Sequence, residues 1–291
     1  MTIRVPKIDR VGPGIMPTQS RLRTRPLLVA VISAIACLAA ASAPAATAEA
    51  APVQAASASA SPSGAEVPVG DLPGWKQVLR EDFNGPASTF PGGYGTWWTG
   101  YTGFADTSHK GWYDQSILSV HDGYLDMNLH TQNGVPLGAA PIPMVNGQWG
   151  GQVYGRFSVR MKTDRALPGY GAGFILWPDS GNWNDGEIDF PESDLGENAK
   201  GYVHCLGNAA VNCTWADSGA QYTDWHTYTI DWTPWAINLL VDGNVISSNT
   251  NSVPSKPMHW VMQMATHGIT PDPSLNGHVL IDWAAIYAYA P

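Results

Sequence analysis

Basic residues and long apolar runs are scarce in this 291-residue chain, and each scarcity excludes a class of protein. The chain holds 15 Lys+Arg against 24 Asp+Glu, and six of the basic residues lie within the first 48 positions. The residues after position 48 therefore carry nine basic and 23 acidic side chains, a net charge of −14. Because such a surface repels nucleic acid and anionic membranes, we expect neither as a partner.

Helical periodicity, heptads and internal repeats are also absent from the sequence. The chain instead has short apolar stretches separated by its 31 glycines and 23 prolines. Residues 149–162 alternate, with Phe157, Val159 and Met161 on one face, which predicts a half-buried antiparallel strand. Residues 133–147, rich in Gly and Pro, are predicted to be a loop. This pattern of short strands and turns is typical of an all-β sandwich.

The N-terminal segment has the features of an export signal. Three arginines, the last being Arg25, precede an apolar run over residues 27–41, and small residues with two A-x-A sites follow. The run is too short to span a bilayer. We therefore predict a signal peptide over residues 1–48, beginning at either Met1 or Met16, and a secreted protein. We expect Cys37 to leave with the signal; lipid attachment there is a poorly matched alternative.

The residues after the predicted signal divide into a linker and one folded domain. Residues 49–70 are mainly Ala, Ser, Pro and Val with almost no charge, so we predict a flexible linker. Residues 71–291 form the predicted domain, and a monomer is the expectation. Two cysteines remain in an oxidising compartment, Cys205 and Cys213, and their spacing suggests a disulfide across a short loop. Two free thiols or a zinc site are the less favoured alternatives.

The most informative stretch is residues 185–194, D-G-E-I-D-F-P-E-S-D. In a strand, Glu187 and Asp189 share one face while Ile188 and Phe190 point into the core. Glu192 joins the two acids only if an extra residue is inserted, and Pro191 makes a bulge plausible because proline in strands is confined to edges, starts and bulges.

Three carboxyl groups on one face repel one another and raise one another's pKa. A retaining glycosidase uses this tension, because one carboxylate attacks the sugar while another keeps a proton for the leaving oxygen, with the two groups about 5–5.5 Å apart. All 13 tryptophans follow residue 74, and aromatic faces bind sugar rings, which also favours a carbohydrate cleft.

The segment G-E-I-D-F-P-E resembles the E-x-D-x-x-E signature of glycoside hydrolase family 16, in its bulged, laminarinase-like form. Residues 154–162 (YGRFSVRMK) and 225–234 (WHTYTIDWTP) are similar to the same family, in the same order. The resemblance covers roughly residues 75–290. It implies a concanavalin A-like jelly-roll β-sandwich with a cleft on the concave sheet.

The resemblance also implies roles for individual residues. Glu187 would be the nucleophile, Glu192 the acid and then the base, and Asp189 the group that orients the nucleophile and helps keep Glu192 protonated. The chemistry requires no cofactor. The residues implied or considered as substrate contacts are Trp177, Trp183, His204, Arg156, Trp98 and Gln263. Asp282 matches the carboxylate of a structural calcium site, although calcium needs six to eight oxygen ligands and this names only one.

The implied activity is endo-hydrolysis of a polysaccharide, with β-1,3-glucan as the first choice of substrate. Mixed-linkage glucan and red-algal galactans are alternatives, because Gln263 and His267 depart from the family's usual N-L-A-V-G-G segment. A wall-remodelling transglycosylase would use the same residues. A non-catalytic carbohydrate-binding protein could share the fold, but it would have no reason to keep three acids together.

Overall fold

A computed structural model describes residues 61–291 of the chain. Within these residues the fold is built almost entirely of strands, joined by tight turns and four short 3-10 helices, and the predicted all-β sandwich is confirmed. The strands are β1 (Trp75–Glu81), β2 (Ser88–Thr89), β3 (Trp98–Tyr101), β4 (Phe104–Ala105), β5 (Trp112–Tyr113), β6 (Leu118–His121), β7 (Tyr124–Gln132), β8 (Val135–Gly138), β9 (Ala140–Pro143), β10 (Gly155–Thr163), β11 (Leu167–Pro178), β12 (Ile188–Leu195), β13 (Asn198–Cys205), β14 (Asn208–Gln221), β15 (His226–Trp232), β16 (Ile237–Val241), β17 (Asn244–Asn249), β18 (Met258–Thr266) and β19 (Asn276–Tyr289). The 3-10 helices span Gly92–Tyr94, Gln115–Ile117, Val145–Gly147 and Trp183–Asp185.

Two large sheets form the sandwich. The larger has 12 strands, and its main path runs β17-β16-β15-β10-β19-β7-β8-β5-β4. Off this path, β1 pairs with β19, β6 pairs with β7, and β2 pairs with β6. The smaller has five strands in the order β14-β13-β12-β11-β18. A two-stranded ribbon, β3 with β9, adjoins β18 through a bridge between Ala139 and Met264. The strands β8 and β9 occupy residues that the sequence analysis predicted as loop.

The core lies between the inner faces of the two sheets. The ring of Phe157 on β10 packs edge-on against Trp260 on β18, with centroids 5.7 Å apart. Phe190 on β12 packs in the same way against Tyr228 on β15, at 5.5 Å. Alternation along each strand therefore fixes which residues face outward, because a side chain next to a core residue points to the other face.

Two hairpin turns use the pair Asp-Gly, whose residues tolerate a left-handed backbone. Asp122 and Gly123 join β6 to β7 with φ values of 51° and 79°. Asp242 and Gly243 join β16 to β17 with φ values of 48° and 80°. Two consecutive positive φ values match the twist of a hairpin, which explains the Asp-Gly pair at both sites.

The segment 61–70 differs from its prediction, because it packs on the domain where a flexible linker was expected. Val67 is 3% exposed and lies against Trp283 and Tyr287 of β19. The indole N–H of Trp283 donates to the carbonyl oxygen of Ala65 at 2.7 Å. Low charge and small residues hid these anchors in the sequence, since one valine, backbone carbonyls and two serine hydroxyls carry the contact.

The predicted signal peptide and the first part of the predicted linker lie outside the described residues. Over residues 61–291, no helix is long and apolar enough to cross a membrane.

Candidate active site

The predicted bulge is present in β12 and is seen from both neighbouring strands. Asp189 and Glu192 lie opposite Ile175 and Gly173 of β11, so three residue steps on β12 match two on its partner. On the other side, the same pair lies opposite Tyr202 and Lys200 of β13. The extra residue falls at Phe190-Pro191, whose peptide bond is cis. Glu192 therefore returns to the face of Asp189, while Ile188 and Phe190 enter the core at 0% and 1% exposure.

Glu187 lies directly before β12, at the end of the 3-10 helix Trp183–Asp185. Its side chain is 4% exposed, and the indole N–H of Trp183 donates to its Oε2. Its backbone carbonyl accepts the N–H of His204 at 3.1 Å, which fixes it to β13. Burial and the neighbouring Asp189 raise the pKa of Glu187, whereas the positive charge that His204 carries when protonated, and the Trp183 indole, favour its ionised form.

Asp189 lies between the two glutamates and is 1% exposed. Its Oδ2 is 3.0 Å from Nε2 of His204, while its Oδ1 is buried with no hydrogen-bond partner. Burial first, and then the charge of Glu192, hold the pKa of Asp189 well above its usual range. Asp189 is therefore the natural holder of a proton, since a buried carboxyl flanked by two acids is costly to ionise.

His204 is oriented by a second hydrogen bond on its other side. Its Nδ1 is 2.6 Å from the carbonyl oxygen of Ala209. Because a carbonyl oxygen only accepts, Nδ1 carries a hydrogen, and neutral His204 presents the lone pair of Nε2 to Asp189. A protonated Asp189 can then donate to it. The imidazole also lies 3.7 Å from Oε2 of Glu187, so His204 touches two of the three acids.

Glu192 is the most accessible of the three acids, being half-buried. Burial raises its pKa to about 7, and His204 opposes this shift. The two glutamates thus differ in their surroundings, because Glu187 receives an indole N–H whereas Glu192 is protonated over much of the neutral range. This difference matches an attacking carboxylate and a general acid.

Cross-strand pairing arranges other side chains in rows on the outer face of the five-stranded sheet. Gly173 separates Glu192 from Gln263 of β18, so Gln263 lies two strands from the acid. Gln263 accepts a hydrogen bond from Thr107 at 2.9 Å. Trp177 pairs with His259 and is next to the position of Glu187. The structure therefore places Trp183 and His204 in contact with the acids, and Trp177 and Gln263 on the same face of the sheet; their contact with substrate stays a prediction.

Sequence reasoning missed two aromatic residues on the same face. Tyr202 lies opposite Asp189, and Trp215 of β14 lies opposite Tyr202, so the three form one row. The side chain of Trp215 is 62% exposed, although it is large and apolar. Exposure alternates along part of β14 in the structure, but the sequence of that segment, rich in Asn, Ala and Gly, has no matching alternation of apolar and polar residues that could have indicated it.

Arg156 was predicted as a substrate contact, and the structure contradicts this. It lies on β10 in the 12-stranded sheet, on the face turned away from the core and from the three acids. Its guanidinium binds Asp231 with two hydrogen bonds of 2.6 Å each and lies over the ring of Trp75. The strand alternation was predicted correctly, but the sequence did not show which sheet would hold it.

Trp98 was also considered as a cleft residue, and it belongs to the core instead. It is 1% exposed and packs against Phe83 and Phe90, with ring centroids 5.6 Å away in each case. The adjacent Trp97 is 46% exposed. Neighbouring strand residues face opposite sides, so one of the pair had to be buried, and the sequence did not tell which.

The predicted disulfide between Cys205 and Cys213 is present, with an S–S distance of 2.04 Å. It closes the tip of the hairpin formed by β13 and β14, directly after His204.

The surroundings of Asp282 do not fit the implied calcium site. Asp282 is 1% exposed, and its Oδ2 accepts hydrogen bonds from the hydroxyls of Ser61, at 2.7 Å, and Ser63. The guanidinium of Arg160 donates to the same Ser63 hydroxyl at 2.6 Å. Calcium requires six to eight oxygens, and this carboxylate has a cation and two donors around it. The calcium stays a prediction that these residues do not favour.

One ligand atom each of Glu187, Asp189 and His204 lie within 4.8 Å of one another, a spacing that a metal ion could use. In residues 61–291 this is the only such group of three or more His, Cys, Asp or Glu side chains. Nε2 of His204 already binds Asp189, and Glu187 already accepts an indole N–H. We therefore interpret Glu187, Asp189 and His204 as side chains that share protons through hydrogen bonds, and not as the ligands of a metal ion.

Comparisons with known proteins match the part of the chain that holds these acids. The family model of glycosyl hydrolases family 16 matches residues 149–285, which include all three acids. Crh-like protein 2 of Aspergillus fumigatus is 32% identical over 149 residues, covering 48% of this chain. The match spans only 30% of that relative's own length.

Solved structures share the fold at low sequence identity. The endo-β-1,3-glucanase from Pyrococcus furiosus superimposes with a TM-score of 0.61 at 19% identity, covering 78% of this chain and 99% of that structure. The laminarinase catalytic domain from Thermotoga maritima MSB8 has a TM-score of 0.58 at 18% identity, covering 74% and 98%. SCLam, a non-specific endo-β-1,3(4)-glucanase, has a TM-score of 0.60 at 18% identity, covering 76% and 94%.

The fold and the acidic cluster define a carbohydrate-active β-sandwich. The family that the sequence motifs predicted is the one whose model matches residues 149–285. This match and the glucanase-like fold together support a glycoside hydrolase.

Proposed function

We propose that this protein is a secreted, retaining endo-β-glycanase, and that its substrate is a β-1,3-glucan. The observation that carries the proposal is the bulge in β12, which places Glu187, Asp189 and Glu192 on one face of one strand. The export-type leader and the disulfide support secretion.

In the first step, the carboxylate of Glu187 attacks the anomeric carbon while Glu192 gives its proton to the departing glycosidic oxygen. On β11, Gly173 lies opposite Glu192, and Trp177, four residues further along, lies next to Glu187. At roughly 3.3 Å per residue, the Cα atoms of the two glutamates are therefore about 13 Å apart. Two glutamate side chains that lean toward each other can close this gap to the separation of about 5–5.5 Å that retention requires.

In the second step, Glu192, now ionised, takes a proton from water. The resulting oxygen attacks the same anomeric carbon and breaks the ester with Glu187, which leaves again as a carboxylate. Glu192 ends protonated and ready for another cycle. Two displacements at one carbon restore its original configuration.

Asp189 and His204 control the charge and the orientation of the nucleophile, Glu187. The proton held by Asp189 stabilises the neighbouring carboxylates without adding a third negative charge to a buried cluster. Trp183 anchors Oε2 of Glu187 by its indole N–H, so the other oxygen is free to attack. These contacts favour a single orientation of Glu187 before substrate arrives.

The aromatic side chains on the outer face of the five-stranded sheet support a neutral polysaccharide as substrate. Trp177, Tyr202 and Trp215 lie on the outer face of the five-stranded sheet, on both sides of the catalytic strand. A row of aromatic side chains across several strands suits a chain of sugar rings better than a single small molecule. The bulged motif and the glucanases of similar fold make β-1,3-glucan the first substrate to test.

The test of substrate is product analysis of the secreted domain on laminarin, lichenan, agarose and carrageenan, by reducing ends and chromatography. Short oligosaccharides from laminarin are the expected result. Products longer than the starting chains, without new reducing ends, would show transfer to a sugar acceptor instead of hydrolysis. Activity on none of the four polymers would overturn the proposed substrate.

The test of roles uses Glu187→Gln and Glu192→Gln, each expected to abolish turnover while oligosaccharide binding and the fold are kept. Azide should rescue Glu187→Ala with inverted product and Glu192→Ala with retained product. If either glutamine variant kept near-full activity, the assigned roles would be wrong.

A further inference from the structure

The hairpin tip closed by Cys205 and Cys213 lies beside the acids, and the reaction proposed above does not use it. We call residues 205–213 the disulfide loop. Cys205 directly follows His204, and Cys213 is solvent-exposed. The pairing of β13 with β14 is irregular here, with register shifts on both sides of His204. Regular strand hydrogen bonds therefore do not by themselves fix this part of the hairpin.

One residue of the disulfide loop holds His204. The carbonyl oxygen of Ala209, which is 1% exposed, accepts the Nδ1 hydrogen of His204 at 2.6 Å. This bond selects the tautomer that presents a bare Nε2 to Asp189 at 3.0 Å. Without the carbonyl, the hydrogen is free to move to Nε2, and His204 would then compete with Asp189 as a donor.

The disulfide loop is also fixed to the segment that carries Trp183. The N–H of Ala209 donates to the side-chain oxygen of Asn184 at 3.2 Å, and the N–H of Gly207 donates to the backbone oxygen of Asn184 at 3.0 Å. Asn184 follows Trp183, whose indole donates to Glu187. The loop thus contacts the supports of both Asp189 and Glu187 through its backbone N–H and carbonyl groups.

A third bond ties the loop to the chain before β18. The N–H of Leu206 donates to the hydroxyl of Ser252 at 2.7 Å, and Ser252 is itself 4% exposed. The loop is therefore held at its start by Ser252, in its middle by Asn184, and across its base by the disulfide. Removal of the disulfide frees the end near Cys213, which is the end that continues from Ala209.

From this geometry we propose that the disulfide loop is a positioning element that holds His204 in its working orientation and tautomer through the carbonyl of Ala209. The inference rests on the proposed function, since it assigns a role within the same site. It predicts that opening the disulfide slows the chemical step more than it weakens substrate binding, because His204 is bonded to the loop directly, whereas Trp177 lies on β11. Trp215 is on β14 two residues after Cys213, so a small change in KM is compatible with the inference.

The main variant is Cys205→Ala/Cys213→Ala, assayed on the polymer that the wild type cleaves, well below its melting temperature. A misplacement of about 1 Å in a supporting group can cost on the order of 100-fold in rate. We expect kcat to fall roughly 10- to 100-fold, with a smaller change in KM. Reduction of the wild type by dithiothreitol, which converts the disulfide to two thiols and leaves as its own cyclic disulfide, should reproduce the loss.

A matched control separates positioning from stability. Ser158→Ala removes a buried hydrogen bond to Thr229 at 2.9 Å on the 12-stranded sheet, far from the acids. It should lower the melting temperature and leave kcat unchanged. If the cysteine variant behaved like Ser158→Ala, with a lower melting temperature and full kcat, the loop would be only a structural staple and the inference would be wrong.

The route through His204 is tested by non-additivity. If the loop acts through this residue, adding Cys205→Ala/Cys213→Ala to His204→Gln should cost little more than His204→Gln alone. Losses that multiply would contradict the route.

A readout that needs no turnover is the ¹⁵N NMR signature of the His204 ring, assigned by its disappearance in His204→Gln. The wild type should show a protonated Nδ1, and the cysteine variant a mixture of tautomers. An unchanged tautomer would overturn the inference. The cysteine variant could lose the Nδ1-protonated signature while the wild type cleaves none of the tested polymers. That result would reject the proposed function and leave the positioning of His204 by the loop standing.

Discussion

Replacement of Glu192 by glutamine should remove activity and at the same time stabilise the domain above neutral pH. Burial raises the pKa of Glu192 from 4.5 to about 7, so ionisation of this group costs more in the folded protein than in the unfolded chain. At about 1.4 kcal/mol for each pKa unit, the cost is about 3 kcal/mol. Glutamine has nearly the same shape and no charge, so it avoids this cost.

The sign of the effect depends on pH. A carboxyl whose pKa is raised by folding stabilises the folded state below its unfolded pKa, and this contribution is lost as pH rises through the folded pKa. Wild type and Glu192→Gln should therefore be equally stable near pH 4. The variant should gain progressively between about pH 4.5 and 7, and lead by about 3 kcal/mol at pH 9.

The assay is urea unfolding of both proteins at pH 4, 7 and 9, followed by tryptophan fluorescence. A domain of this size should also show a rise in melting temperature at pH 9 of about 6–12 °C, at about 2–4 °C for each kcal/mol. Equal stability of the two proteins at pH 9, or a less stable variant, would refute the claim that burial in the acidic cluster controls Glu192.

Four further predictions follow from the contacts of individual residues. Trp183→Phe keeps the ring but removes the donor to Glu187, so kcat should fall roughly 10- to 100-fold, the cost of a hydrogen bond to a charged group, and an unchanged kcat would contradict that role. Trp98→Ala should lower the free energy of unfolding by about 3–5 kcal/mol without a change in KM, because Trp98 is a core residue. Arg156→Met should leave kcat and KM unchanged, because Arg156 binds Asp231 on the other sheet. A raised KM in either variant would show that the replaced residue contacts the substrate. Chelation by EDTA should not shift the melting temperature, because Asp282 is held by Ser61 and Ser63, and a shift that added calcium reverses would restore the metal site.

Local chemistry explains why the acidic strand could be predicted from sequence. Alternation placed Ile188 and Phe190 in the core, and the restriction on proline placed the bulge at Pro191, so the position of Glu192 followed from two simple rules. The Asp-Gly turns were predictable for the same reason, because few residues accept two consecutive positive φ values.

Long-range placement could not be predicted in the same way. Arg156 lies on an alternating strand, but alternation gives two faces and does not say which sheet contains the strand. Trp97 and Trp98 are chemically identical neighbours, and only the packing of Phe83 and Phe90 decides which one is buried. The role of Ala209 depends on a backbone carbonyl, which every residue has, so the sequence contains no signal for it.

The central claim is that Glu187 and Glu192 perform two displacements at one anomeric carbon. The most direct measurement is the anomeric configuration of the first product, followed by ¹H NMR within minutes of adding enzyme to a β-glucan oligosaccharide. The account predicts that the β-anomer appears first and the α-anomer later, by mutarotation. Initial release of the α-anomer would show a single inverting displacement and would contradict the assignment of Glu187 as nucleophile.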